Sequence, residues 1–343
     1  MISGKTIFIS PLDWGMGHST RCVPIIKDLL INNKVIIGVT NLNKDFFEQH
    51  FQGIEKINIP SYNIRYSKNL PVWLKILFQF SKIKKIIRQE NKLLEKVIKE
   101  NNIDLVISDN RFGLHNKNVE CVFITHQLKM QLPFFSSVVN NKNKKYIYQF
   151  NKVWVPDYKD VNDRLAGELS DSRNIKIPVE YIGPKSALQN LEVHISDYEK
   201  FDYLILLSGV EPQRTILEQK LLLKFNNTTK KIVLVRACDA PLTIQNKNIT
   251  SINFVFGIEL KKLILKADVI ICRSGYSTLM DLHVLEKKKI ILIPTPGQPE
   301  QEYLAAYWQK KFNAVNLNQK AIAKQLERFM INDERPEGLM MQD

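Results

Sequence analysis

The sequence predicts an α/β protein built from two domains that face each other across a cleft, and three observations carry that reading. At 343 residues the chain is longer than one typical domain. Short runs rich in Val and Ile alternate with helix-like segments along its length, the pattern of βαβ units on a parallel sheet. The alternation resets around Ile177 to Lys185, where Pro178 and Gly183-Pro184 punctuate a connector. Each half then begins with a strand that runs into a glycine-containing loop.

In chain order, Lys5 to Ser10 reads as a buried strand and Pro11 to Gly17 as a turn-rich loop. A helix follows from about Ser19 to Asn32, then a strand over Lys34 to Thr40. A long helical stretch spans Val72 to Glu100, and strands fall at Asp104 to Ser108, Cys121 to Thr125 and Lys152 to Val155. The second half has strands at Tyr203 to Ser208, Lys231 to Val235, Ile252 to Val255, Asp268 to Cys272 and Lys289 to Pro294. Its last helices cover Leu279 to Leu285, Glu302 to Lys311 and Gln319 to Ile331. The expected domains are 1–182 and 183–331, the last helix free to pack back on the first. The tail 332–343 reads as frayed.

Composition narrows the class. With 44% hydrophobic and 24% charged residues the chain can build real cores, which excludes an extended disordered protein. No stretch of 18 apolar residues crosses a membrane, and the apolar start Ile7-Phe8-Ile9 is too short for a secretory signal. Cys22, Cys121, Cys238 and Cys272 lie far apart with neither metal-ligand nor disulfide spacing. A cytoplasmic location follows as the expectation, with the inner face of the membrane as the alternative. The formal charge of +14 implies attraction to something anionic, although a lysine-rich composition alone also produces it.

In open α/β sheets ligands bind beyond the carboxyl ends of the strands, so the loops there carry the candidates. Gly15-Met16-Gly17-His18 follows the first strand. Gly15 and Gly17 let backbone approach a ligand, and the next helix turns its positive N-terminus toward it. His18 stands there as a candidate acid–base group, the competing reading being a helix cap. Asp109 and Thr125-His126-Gln127 follow two further strands; His126 rivals His18 as the base, and Asp109 could orient either one. In the second half Ser208-Gly209 ends a strand, with Arg214 near the next helix start as a charge-assisted phosphate contact. Arg273-Ser274-Gly275-Tyr276-Ser277-Thr278 follows another strand and opens a helix, with Asp281 one turn on to accept from ribose hydroxyls. The loop after Pro294 brings polar Gln301 and Glu302. Three such loops on one edge of one sheet outweigh ordinary turn chemistry.

These motifs resemble a family of nucleotide-sugar-dependent glycosyltransferases, family 28, which includes the peptidoglycan lipid-intermediate N-acetylglucosaminyltransferase and the galactosyldiacylglycerol synthases. The matching residues are Cys272-Arg273-Ser274-Gly275, Ser277-Thr278, Asp281, Pro294, Gln301-Glu302-Tyr303 and, at the other lip, Gly15-Met16-Gly17-His18. The stretch from about Tyr62 to Pro178 matches nothing. The resemblance implies the GT-B fold, two Rossmann-like domains facing across a cleft, with the donor nucleotide on the C-terminal one. Arg273 to Thr278 would hold the diphosphate and Asp281 the ribose. Gln301 and Glu302 would meet the donor sugar, and Phe256-Gly257 and the residues after them the base. The loop after Ser208 has fewer glycines than the family's, and Glu302 stands where a second glutamine is common. The implied reaction is inverting, metal-independent transfer from a UDP-sugar to an acceptor hydroxyl on a lipid-linked or cell-envelope glycan. No cofactor or metal is expected.

The stretch Val72 to Glu100 has Trp73, Ile76, Leu77, Phe80, Ile83 and Ile87 at helical spacing, beside many lysines. It is either a helix on an anionic membrane surface or a domain helix packed on the sheet. Two rival functions stand beside transfer. One is a nucleotide-sugar hydrolase or epimerase on the same fold, since the histidine could activate water. The other is a basic nucleic-acid-binding protein, which lacks the interleaved aromatic and basic surface it needs, so no nucleic-acid partner is expected.

Overall fold

The structure is a computed structural model that describes residues 2–63, 79–131, 136–194, 200–209, 211–239 and 246–331. It divides into an N-terminal unit that ends at Ala187 and a C-terminal unit that runs on from Leu188.

The N-terminal unit begins with β1 (Thr6–Pro11), α1 (Met16–Leu30), β2 (Lys34–Val39), α2 (Lys44–His50) and β3 (Lys56–Asn58). It continues with α3 (Phe80–Asn101), β4 (Leu105–Asp109), β5 (Glu120–Ile124), α4 (Ser136–Ile147), β6 (Lys152–Val155), a 3-10 turn at Gly167–Ser170 and β7 (Val179–Tyr181). Its strands lie in the order β3-β2-β1-β4-β5-β6-β7 and every pairing is parallel. A parallel sheet must be covered on both faces, which is why its strands are apolar runs and not alternating ones. Ile7, Ile9, Ile37, Leu105 and Ile107 pack with α1 on one face. Phe8, Ile36, Val106 and Phe123 pack with α3 on the other.

That arrangement accounts for the described apolar residues of the basic helix. Ile83, Ile86, Leu94 and Val97 of α3 are buried within the unit, while Lys84, Lys85, Arg88, Lys92, Lys96 and Lys99 are exposed. These apolar residues are therefore spent on the protein's own core. Trp73, Ile76 and Leu77 lie outside the described residues, as does the tail. Among the described residues no helix is long and apolar enough to cross a membrane.

Close packing of α3 depends on Gly113. A Cβ there would lie 2.4 Å from the Ile87 carbonyl oxygen and 2.5 Å from Glu90 Oε2. The first of these is helix backbone and cannot swing away. Gly113→Ala is expected to cost about 1–3 kcal/mol through overpacking, read as a lower denaturant midpoint of the N-terminal unit. An unchanged midpoint would show that α3 yields freely.

The C-terminal unit repeats the scheme. It comprises β8 (Phe201–Leu206), α5 (Gln213–Phe225), β9 (Ile232–Val235), β10 (Ile249–Ile252), α6 (Gly257–Lys266), β11 (Ala267–Cys272), α7 (Tyr276–Val284), β12 (Ile290–Leu292), α8 (Pro299–Phe312), β13 (Val315–Asn316) and α9 (Ile322–Ile331). The order β10-β9-β8-β11-β12-β13 is again parallel throughout. Helix α9 joins this unit's core through Ile322 and Leu326.

One strand is displaced from its expected place. The apolar run Ile252 to Val255 suggests a strand, but β10 ends at Ile252. Ile249 supplies the buried contact, while Phe254 and Phe256 beyond it are 46% and 39% exposed. An edge strand is apolar only where the sheet covers it, so hydrophobicity alone misplaces its end by three residues.

Candidate functional site

In each sheet the chain reverses direction of winding between two neighbouring strands, β1 and β4 in one, β8 and β11 in the other. Loops diverge there, which opens a crevice at the carboxyl ends. The loops after these four strands hold most of the candidate residues.

In the N-terminal unit Gly15 precedes α1 with φ +146°, a backbone conformation that side chains disfavour. No side chain caps the helix and its first turn carries no acid. Gly17, half-buried in that turn, gives its carbonyl to Thr20 Oγ1 at 3.1 Å. Parallel pairing sets Pro11 of β1 against Asp109, the last residue of β4. That register carries the fully buried Asp109 carboxylate under the first turns of α1.

Three side chains converge on it. His18 Nδ1 lies 3.2 Å from Asp109 Oδ1. Arg21 donates from Nε to Asp109 Oδ2 at 2.9 Å and from Nη2 to Oδ1, a two-pronged ion pair. Cys22 Sγ donates to Oδ2 at 3.4 Å. Arg21 also touches both histidines, with Nη2 2.9 Å from His18 Nδ1 and Nη1 3.2 Å from His126 Nδ1. Burial would raise the Asp109 carboxyl, but the Arg21 charge and then His18 hold it well below the usual carboxylate range. Burial and the Arg21 charge depress His18, against the opposing pull of Asp109. Burial, then the Asp109 charge, push the Cys22 thiol well up, so it stays protonated.

The two histidines are thereby distinguished. Asp109 meets His18. His126 meets the guanidinium instead, with Arg21 Nη1 3.2 Å from its Nδ1. His126 is buried, whereas the His18 side chain keeps 19% of its surface exposed. Arg21, three residues after His18 on the same helix face, belongs to this centre although the sequence expectations leave it out; the i,i+3 spacing was the available signal.

In the C-terminal unit Ser208 is half-buried, and Gly209 is exposed with φ +93°. A Cβ at Gly209 would lie 4.0 Å from Thr295 Oγ1, which brings the loops after β8 and β12 together. Helix α7 starts after Gly275, with no side-chain cap and no acid in its first turn. Gly275, Ser277, Thr278 and Asp281 are half-buried around that start. Tyr276 turns its ring into the core, so only its backbone belongs to the loop. Phe256 is exposed and stacked on Phe254 at 6.5 Å between centroids, just before half-buried Gly257.

The arginines depart from expectation. Arg273 is 1% exposed and donates to the carbonyls of Ile293 at 3.0 Å, Pro294 at 3.2 Å and Gln213 at 2.8 Å. It braces the strand ends from beneath and does not reach outward for phosphate. Burial without a carboxylate among these partners lowers it to about 10. Arg214 is likewise buried, on Glu218 Oε2 at 2.8 Å and Glu211 Oε1 at 2.6 Å. Its fork meets protein carboxylates, an arrangement the sequence expectation for a phosphate contact did not include.

Three polar residues are also used internally. Ser274 Oγ donates to the Gln301 carbonyl at 2.7 Å. Gln301 Oε1 accepts from the Thr295 N–H at 2.9 Å, and Glu302 Oε1 accepts from the Gly297 N–H at 2.8 Å. These side-chain oxygens shape the loop after β12. Among the described residues no group of three or more His, Cys, Asp or Glu could hold a metal ion.

Residues 214–338 match the glycosyltransferase family 28 C-terminal domain. A search of curated proteins finds no match. Arabidopsis thaliana UGT89C1 complexed with UDP-L-rhamnose shares 10% identity at a TM-score of 0.65, over 98% of this chain and 91% of that one. The glycosyltransferase SnogD from Streptomyces nogalater shares 13% at 0.63, over 97% and 91%. Acinetobacter baumannii MurG shares 12% at 0.58, over 97% and 91%. Likeness at such low identity establishes the fold, which is GT-B. The matched domain supplies the class of the C-terminal unit.

Proposed function

We propose that this GT-B glycosyltransferase moves a sugar from a nucleotide-diphosphate donor, a UDP-sugar, to an acceptor hydroxyl by a single inverting displacement. The observation that carries the reading is the His18–Asp109 pair at the carboxyl ends of β1 and β4. With its Nδ1–H donated to Asp109, His18 presents Nε2 as a lone pair. The acceptor hydroxyl gives its proton to Nε2 as its oxygen attacks the anomeric carbon. The bond to the nucleotide diphosphate breaks with its electron pair on the departing oxygen. Asp109, held ionised, stabilises the imidazolium that forms.

The donor belongs to the C-terminal unit. The positive N-terminus of α7, with no acid in its first turn, and the hydroxyls of Ser277 and Thr278 suit diphosphate oxygens, with Asp281 one turn on for the ribose. Arg273 contributes as a buried positive charge beneath these loops. The residues supply what the charge on the leaving group needs, so transfer without a metal is part of the proposal. Support for a lipid-linked or cell-envelope glycan as acceptor comes from the +14 charge and the exposed basic face of α3.

Thermal-shift screening of nucleotide sugars with wild type and Asp281→Ala tests the donor side. A UDP-sugar is expected to raise the wild-type midpoint and to lose that effect in Asp281→Ala. Equal stabilisation of both proteins refutes the ribose assignment. Rapid, complete release of free sugar without acceptor would reassign the reaction to hydrolysis, with water in place of the acceptor.

A further inference from the structure

The transfer reading needs a neutral His18, yet a carboxylate beside a histidine normally favours its charged form. The geometry around Asp109 shows how the two demands coexist. Arginine donates only and an ionised carboxylate accepts only. Arg21 Nη2, 2.9 Å from His18 Nδ1, calls for a lone pair on that nitrogen. Asp109 Oδ1, 3.2 Å from the same nitrogen, calls for a proton on it. Nδ1 cannot satisfy both at once; only with the ring proton on Nδ1, given to Asp109, is Nε2 open as a base, and Arg21 Nη2 then serves Asp109 Oδ1. Meanwhile the Arg21 fork already occupies both Asp109 oxygens, from Nε and from Nη2.

We propose that Arg21 is the positioning residue of the base: by holding both Asp109 oxygens it limits their pull on His18, so the ring stays neutral with its proton on Nδ1, shared with Asp109 Oδ1, and Nε2 is open to the acceptor proton. This rests on His18 being the base of the proposed transfer. The groups that face His18 are Arg21 on its own helix, Asp109 at the end of β4 and His126 after β5, with Cys22 also on Asp109. Arg21 is the central one, since it contacts the other two and His18 itself. In the forward step the acceptor proton goes to Nε2 and no proton leaves Arg21 or Asp109. The second histidine is fixed by the same fork, because Arg21 Nη1 holds its Nδ1 at 3.2 Å.

The depressed affinity of His18 for protons agrees with this arrangement, burial and then Arg21 being its causes. Removing the guanidinium leaves Asp109 to pull on His18 alone, so the direction is fixed: His18 should protonate at higher pH. In Arg21→Met the acid limb of kcat/KM is expected to move upward. The ratio of activity at about pH 5.5 to that at about pH 8 should fall roughly tenfold or more. Arg21→Lys keeps a charge but loses the fork, and its limb should lie between those of wild type and Arg21→Met.

A readout independent of turnover is the NMR titration of the His18 Cε1–H resonance, assigned by its loss in His18→Asn. Its midpoint should rise in Arg21→Met and, by less, in Arg21→Lys. A merely structural arginine would lower stability or yield and leave both midpoints in place, which would overturn the proposal. Should Arg21→Met fail to fold, Arg21→Lys alone decides by the same criterion. If no nucleotide sugar is turned over but the NMR midpoint rises, the transfer reading fails while the role of Arg21 stands. If donors are turned over and neither midpoint moves, Arg21 is excluded and transfer stands.

Discussion

His18→Ala is expected to lower kcat for sugar transfer by about 10²–10⁴-fold while leaving the KM for the donor within about threefold. The asymmetry follows from where the side chain sits. His18 belongs to the N-terminal unit and shares its contacts with Arg21 and Asp109, whereas the proposed diphosphate and ribose contacts are on α7. Loss of the imidazole removes a proton acceptor needed only as the acceptor oxygen attacks, so it acts on the transition state. The loss should not be a folding effect, because the Arg21–Asp109 pair that neutralises the buried carboxylate remains. Steady-state kinetics together with donor-induced thermal shifts check both halves. A fall in donor affinity with kcat unchanged would place His18 at the donor, and His126→Ala losing more activity than His18→Ala would transfer the base to His126.

Glu218→Ala is expected to destabilise the C-terminal unit by about 3–5 kcal/mol. Glu218 is 3% exposed and holds two buried arginines at once. Its Oε2 accepts from Arg214 Nη1 at 2.8 Å and its Oε1 from Arg236 Nε. Arg214 begins α5 and Arg236 follows β9, so the carboxylate ties a helix start to a strand end. Truncation leaves two guanidinium groups in a desolvated place with one carboxylate fewer, and Arg214 must lean on the half-exposed Glu211. Glu218→Gln keeps an acceptor but not the charge, so it should lose part of this and not all. Hydrogen–deuterium exchange is the suitable measurement in a two-unit protein, because one unfolding free energy is not defined for the chain. Peptides from α5 and β9 should lose protection while those of β1 and β4 keep theirs. Uniform protection in Glu218→Ala would show that the ion pairs contribute little.

The carboxylates and arginines also show why the two halves of the site were unequally legible. Gly15 to His18, Ser208-Gly209 and Arg273 to Thr278 are recognisable because each is a local event, a strand running into a glycine turn and a helix. His18 and Asp109 are 91 positions apart, and nothing between them in sequence announces their contact. Arg214 illustrates the opposite case. Glu218 stands four residues on, a spacing that brings side chains together on a helix, and the pairing could have been read. For Arg273 no such signal existed, since its acceptors are backbone carbonyls of Gln213, Ile293 and Pro294.

By itself the sequence determined the α/β class, the parallel strands and the loops that bear the chemistry. Those properties follow from apolar runs, glycines and helix starts within a few residues of one another. Tertiary structure alone decided which way the polar side chains in those loops point. The register of β1 against β4 carries Asp109 to His18 and Arg21. The alignment of β8, β11 and β12 turns Arg273 inward onto carbonyls. A buried charge must find a partner wherever the fold provides one, and partners in a parallel sheet come from distant stretches of chain. Residue type and spacing mark where a ligand can bind; the packing decides which groups are left to meet it.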